Sequence, residues 1–165
     1  MNDSAFNPDA FLSAQVSEVN EKRPPLPVEN PEPGSNGFYT AVISGVQMKS
    51  GTINNGERAG QPWLCAVLPL KIEVPQQLQD AMGYPPTVTL TDRAFLDLTP
   101  DGRGLDNGKG KNRAQRMYRE ALDLNKPGDV WSWAKAEGQP VRVKVAQEVY
   151  QGEIQEKVGG VFRRS

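Results

Sequence analysis

Trp63-Leu64-Cys65-Ala66-Val67-Leu68-Pro69-Leu70-Lys71-Ile72 is the stretch that decides the fold. Leu64, Ala66, Leu68, Leu70 and Ile72 recur at every second position, and an extended strand is the conformation that puts such residues on one face. Trp63, Cys65 and Lys71 then share the other face with Pro69, whose missing N–H predicts an edge or a bulge there. Working outward, the polar, glycine-rich run Lys49 to Gly60 carries Asn55-Gly56, a hairpin signal, and Phe38-Tyr39-Thr40-Ala41-Val42-Ile43 reads as the strand before it, entered through the turn Gly34 to Gly37.

Downstream, a short helical turn around Pro75 to Met82 leads to a strand with Val88 and Leu90 inward and Thr87, Thr89, Thr91 and Arg93 outward, extending towards Phe95, Leu96 and Leu98. The glycines and turn formers from Thr99 to Lys111 predict an irregular loop. The best helix starts at the cap Asn112 with Gln115 three positions on, and carries Ala114, Met117, Tyr118, Ala121, Leu122 and Leu124 as its apolar stripe. Val141, Val143 and Val145 open a last hairpin that turns near Gln151-Gly152 and returns through Ile154 and Val158 to Phe162. Three strands, a helix and two strands predict a mainly-β chain with one principal helix, in the order of an OB-fold-like five-stranded barrel.

Two segments differ in composition. Residues 1–37 hold six acids against Lys22 and Arg23, a net charge of −4, and five prolines between Pro24 and Pro33, so they predict an extended acidic arm. One short helix is expected in the arm around Pro8 to Val16, capped by Asn7 and anchored by Phe11 and Leu12. Residues 38–165 form the expected barrel domain.

The 165 residues contain no histidine and one cysteine, Cys65, which removes histidine-based triads, His-ligated metals, thiolate zinc sites and any internal disulfide. Carboxylate-bound Mg²⁺ remains open through Asp92, Asp97, Asp101 and Asp106, as does lysine chemistry, but no lysine or acid stands at a diagnostic spacing beside those four, and the chain reads as a binding module without a cofactor or catalytic residues. No run of about 18 apolar residues spans a bilayer, and Met1-Asn2-Asp3-Ser4 lacks a signal-peptide pattern, so a cytoplasmic protein is expected.

Net charge is −1, so only local charge can speak of partners. Arg103, Lys109, Lys111, Arg113, Arg116 and Arg119 stand against Asp106 alone between residues 103 and 119, the local polarity a phosphate backbone needs, or the solvated face of a helix and its loop. Lys71, Arg93, Arg142 and Lys144 fall opposite the apolar strand faces. Trp63 and Tyr150 are the aromatics expected to remain exposed there as stacking platforms for unpaired bases. A phosphate-binding P-loop is excluded because Gly104 lies four residues before Gly108 and Gly110 stands where Ser or Thr would hold Mg²⁺. Asp97, Thr99, Asp101 and Gly102 imitate half of an EF-hand, but its twelfth position is Gly108, and a turn is the better reading.

Phe6-Asn7-Pro8-Asp9-Ala10-Phe11-Leu12, Phe38 to Ile43, Phe95-Leu96-Asp97-Leu98-Thr99-Pro100-Asp101-Gly102, and Leu105 to Asn112 with Arg119-Glu120-Ala121-Leu122 resemble a group of small bacteriophage proteins, similar to phage OB-fold single-stranded DNA-binding proteins. The resemblance implies coating of unpaired DNA during phage replication or recombination, with single-stranded DNA, replication proteins and further copies of the chain as partners. It assigns no individual DNA contact. The alternatives are a phage structural or assembly protein, or an inhibitor of a host factor. The basic ending Val161-Phe162-Arg163-Arg164-Ser165 departs from the acidic tail common among single-stranded DNA-binding proteins.

Overall fold

A computed structural model describes residues 6–164. Met1 to Ser4, read above for a signal peptide, Asp3 of the arm and the terminal Ser165 lie outside the described residues.

The described residues fold into six antiparallel strands and two α-helices: β1 (Tyr39–Ile43), β2 (Gln47–Thr52), β3 (Pro62–Glu73), α1 (Gln76–Met82), β4 (Thr87–Leu96), α2 (Arg113–Ala121), β5 (Pro140–Tyr150) and β6 (Glu153–Phe162). The deciding stretch is β3, and its alternation holds from Leu68 to Ile72, where Leu68, Leu70 and Ile72 are fully buried and Lys71 is exposed; nearer its start Cys65 and Val67 of the other face are buried beside Ala66, and Leu64 is half-buried. β4 pairs along one side of β3 from Leu64↔Leu96 to Glu73↔Thr87. On the other side β2 and β1 lie head to tail, β2 opposite residues 62–67 and β1 opposite residues 70–72. β5 then pairs with β1, and β6 with β5.

Three expectations need correction. Among the described residues there are six strands and not five, because Gln47–Thr52 pairs as a separate strand. Its residues are nearly all exposed, so no apolar alternation marks it in the sequence. Nor do the strands close into a barrel: the pairing path is β2-β3-β1-β5-β6 with β4 on β3, and β6 approaches β4 without a ladder between them. Pro69 does not mark an edge strand either. It sits inside the sheet at the junction of β1 and β2, where its carbonyl accepts from the Ser44 N–H (2.9 Å) and Oγ (3.0 Å).

Tyr39, Ala41, Ile43, Val141, Val143, Val145 and Val161 close the core against β3. α2 packs over it through Tyr118, whose hydroxyl donates to Asp92 Oδ2 at 2.6 Å. Trp133 stands edge-on to Tyr118, and Trp131 edge-on to Trp133, so these two indoles belong to the packing under α2. Burial first, and then the Tyr118 hydroxyl bond working against it, leaves the Asp92 carboxyl above the usual range. The Tyr118 hydroxyl is itself raised by burial and by Asp92. The β5–β6 turn, Gln151 (φ 50°) and Gly152 (φ 78°), has the double left-handed backbone that a two-residue hairpin requires.

The proline-rich arm is part of this packing. Leu26 is fully buried, its N–H donates to Glu156 Oε2 (2.6 Å), and its carbonyl accepts from Gln147 Nε2 (2.6 Å). Tyr84 and Tyr39 donate their hydroxyls to the carbonyls of Pro25 (2.6 Å) and Pro27 (2.8 Å), and Arg23 pairs with Glu156. Prolines hold this strap extended and leave its carbonyls free to be read by side chains. Upstream, the expected helix is a single 3₁₀ turn, Pro8–Phe11, with Asn7 accepting from the Asp9 N–H as its cap. Phe11 and Leu12 do not anchor it to the core: they are 65% and 90% exposed, and the Phe11 ring meets that of Phe6 at 5.7 Å. Among the described residues no helix is long and apolar enough to cross a membrane.

Candidate functional site

Cα-paired residues on adjacent strands project to the same side of a sheet. On the outer side of β2, β3 and β4 this rule aligns Lys49, Cys65 and Phe95 in one row, Gln47, Val67 and Arg93 in the next, and Gly51 with Trp63 beyond them. The Trp63 and Phe95 rings lie 6.0 Å apart at 59°, and Phe95 is 59% exposed. Gly51 makes this possible, since a β-carbon there would stand 2.7 Å from the Trp63 indole.

Two loops wall this surface into a cleft of about 960 Å³. One is the β2–β3 connection, which contributes Ile53, Arg58, Gln61 and Pro62; it is longer than the expected Asn55-Gly56 turn, with Ile53 and Gln61 bonded backbone to backbone at 2.8 Å. The other runs from Asp97 to Lys111. It folds back through an isolated bridge between Leu98 and Leu105, and its Gly102 (φ 71°) lies against Pro62 of the first wall, where a β-carbon would meet the ring at 2.8 Å. Its far end is fixed by Asn112, whose side-chain amide donates to the carbonyls of Asp97 (3.1 Å) and Asp106 (2.8 Å). Asn112 is therefore not the side-chain cap of α2 that its position predicts. It is buried, left-handed (φ 53°), and bonded to the loop.

Four cations line the cleft, Lys49, Arg58, Arg93 and Lys111, and none of them makes an ion pair among the described residues. Of the acids there, Asp97 accepts from the Asn112 N–H (2.6 Å) and Asp106 from the Gly108 N–H (3.0 Å). Asp101, in the adjoining turn, accepts from the Thr99 hydroxyl and the Arg103 N–H, and these bonds hold its carboxyl below the usual range. Among the described residues no three potential metal ligands lie together. An apolar aromatic floor with unpaired cations on its rim can stack planar groups and hold anions beside them.

The twelve residues singled out from sequence separate. Trp63, Arg93 and Lys111 meet in the cleft. Lys71 is exposed farther along the outer side of β3, and Lys144 on the outer side of β5 opposite Gly160. Arg103 and Lys109 are exposed on the loop without lining the cleft. Arg113 and Arg116 line a smaller groove of about 220 Å³ between α2 and β6. Arg119 is turned to its own chain, donating Nε to the Leu124 carbonyl (2.9 Å). Arg142 lies over the Phe38 ring at 4.6 Å and donates to the Arg163 carbonyl (2.5 Å). Tyr150 is exposed at the β5–β6 tip and does not line the cleft.

Sequence reasoning missed Lys49 and Arg58, and it preferred Tyr150 to Phe95 as the second exposed aromatic. For Phe95 the signal was present: it continues the outward phase of Thr91 and Arg93. Lys49 and Arg58 lie in a polar stretch with no periodicity, and only the fold brings them to the floor and wall. Neither a protein-family model nor a curated protein matches the chain.

Proposed function

We propose that this chain binds single-stranded DNA with little sequence preference, as a binding module and not as an enzyme, in the replication or recombination of a phage genome within the host cytoplasm. The observation that carries the reading is the cleft: Trp63 and Phe95 side by side on a sheet surface, with Lys49, Arg58, Arg93 and Lys111 unpaired around them. Bases have apolar faces whatever their identity, so aromatic floors take unpaired strands with little regard to sequence, and rim cations meet the phosphates. A duplex keeps those faces stacked inside and has none to offer.

The strand order supports an OB-type reading. If β1 and β2, head to tail on one side of β3, are counted as one bent strand, the order becomes β-β-α-β-α-β-β, which is β-β-β-α-β-β with the two-turn helix α1 inserted between the second and third strands. The OB fold is a partly open five-stranded barrel that binds oligonucleotides on its second and third strands, beside the loop between the first and second. On that count the cleft lies on those strands and that loop.

Fluorescence anisotropy with labelled oligo-dT and a matching duplex tests the proposal. Salt-sensitive binding that prefers the single strand is expected, with Trp63→Ala and Phe95→Ala each costing about 1–3 kcal/mol. Equal binding of both nucleic acids, or none, would sink it.

The exposed arm favours a second reading. Phe6, Phe11, Leu12, Val16 and Val19 all stand in solvent, as in an assembly protein whose arm straps a neighbouring copy. Removing residues 1–19 separates the two: a nucleic-acid-free assembly that sediments intact only with the arm present supports the strap, and one unchanged by the cut does not.

A further inference from the structure

We propose that the groove between α2 and the end of β6 is a second station for the same DNA strand after it leaves the cleft, with Phe162 as its stacking platform and Arg113 and Arg116 as its phosphate contacts. The inference rests on the function proposed above.

Phe162 is 40% exposed, held edge-on at 5.1 Å by Phe38, whose face in turn carries the Arg142 guanidinium. The ring also lies over Gly160, where a β-carbon would meet it at 2.8 Å, so it is seated on the strand while part of it stays in solvent to receive another ring. Arg163, bound to Asp123 Oδ1 (2.8 Å) and the Glu120 carbonyl (3.3 Å), fixes the groove's far side. Arg113 and Arg116 are exposed, three residues apart and so on one face of α2, and make no ion pair among the described residues. Lys111, on the cleft wall, stands two residues before Arg113, so cations of both recesses sit on one short stretch of chain, while Glu120 is the one acid that lines the groove.

The test compares oligo-dT of roughly four nucleotides with oligo-dT of roughly sixteen, the ends of the range one such module covers. Arg113→Ala with Arg116→Ala, and separately Phe162→Leu, which keeps apolar volume against Phe38, should leave the short strand unaffected. Each should weaken the long one by roughly five- to a hundredfold, and the arginine variant should flatten its salt dependence by about 0.7 per lost phosphate contact. Trp63→Ala should weaken both lengths. If the groove variants bind the long strand as the parent does while Trp63→Ala does not, the second station is overturned and the cleft survives. If the parent binds neither strand, both proposals fall.

Discussion

Asp97 and Asn112 hold each other reciprocally: the Asn112 N–H donates to Asp97 Oδ2 at 2.6 Å, and Asn112 Oδ1 accepts from the Asp97 N–H at 2.8 Å. With the amide's two further bonds to loop carbonyls, one buried side chain ties the end of β4, the loop and the start of α2 together. Asn112→Ala leaves these groups unsatisfied and forces a β-carbon without amide compensation into a left-handed backbone. About 2–4 kcal/mol of stability should be lost, read by urea unfolding. Asn112→Gly relieves the backbone part alone and should be less costly by about 1 kcal/mol. Equal losses would show that the left-handed conformation carries no strain.

Gly51→Ala tests how Trp63 is seated. The new β-carbon meets the indole at 2.7 Å, so the ring must move off β2. A loss of about 1–3 kcal/mol is expected, with a shifted tryptophan emission and weakened binding of oligo-dT. Gly45→Ala is the control, because a β-carbon there meets nothing within 4 Å. Matching behaviour of the two variants would contradict the seating.

Leu26→Ala should cost about 2–4 kcal/mol, the scale for truncating a fully buried leucine, although residue 26 belongs to a segment with the composition of a linker. By contrast the Lys22–Glu153 pair (3.5 Å) is exposed on both sides, and Lys22→Ala should leave the urea midpoint where it was. A small effect at Leu26 would mean that the strap is dispensable for the core.

Alkaline pH should loosen the strap. Burial, then Tyr84 and Glu156, pushes the Tyr39 hydroxyl from 10.0 up to about 12, and Tyr84 is raised by burial and Glu156. The raised folded-state values mean that these hydroxyls stabilise the fold fully below the unfolded value near 10. That contribution falls away as pH rises through about 12. Unfolding midpoints should be level up to pH 10 and decline above it. Tyr39→Phe should decline less, from a neutral-pH stability about 1 kcal/mol lower. A decline unchanged by Tyr39→Phe would assign the alkaline transition to other groups.

What the sequence disclosed follows the physics of each signal. β3, the inner side of β4, β5 and α2 were legible because half-buried elements write a period of two or 3.6 into the chain. β2 was not, since neither of its sides meets the core and pairing alone leaves no pattern in side chains. The strap was hidden for a related reason: one leucine among prolines carries no periodicity, and the groups that receive it, Tyr39, Tyr84, Gln147 and Glu156, are scattered from residue 39 to 156. Of the candidate site, Trp63 and Arg93 followed from strand phase. The split of the basic segment between cleft, groove and helix end did not, because charge density in sequence is blind to which way successive side chains turn.

The anchoring of Leu26 also sets where the chain is free to change. Upstream of Arg23 the described residues expose every side chain, so fusions, insertions and sequence drift there leave the sheet untouched, and a protease could trim that stretch without unfolding the rest. A cut a few residues later removes a piece of the interior. Tolerance to change should therefore switch within the arm itself, from a leading stretch that can be rewritten to one that, from where the prolines begin, behaves as core.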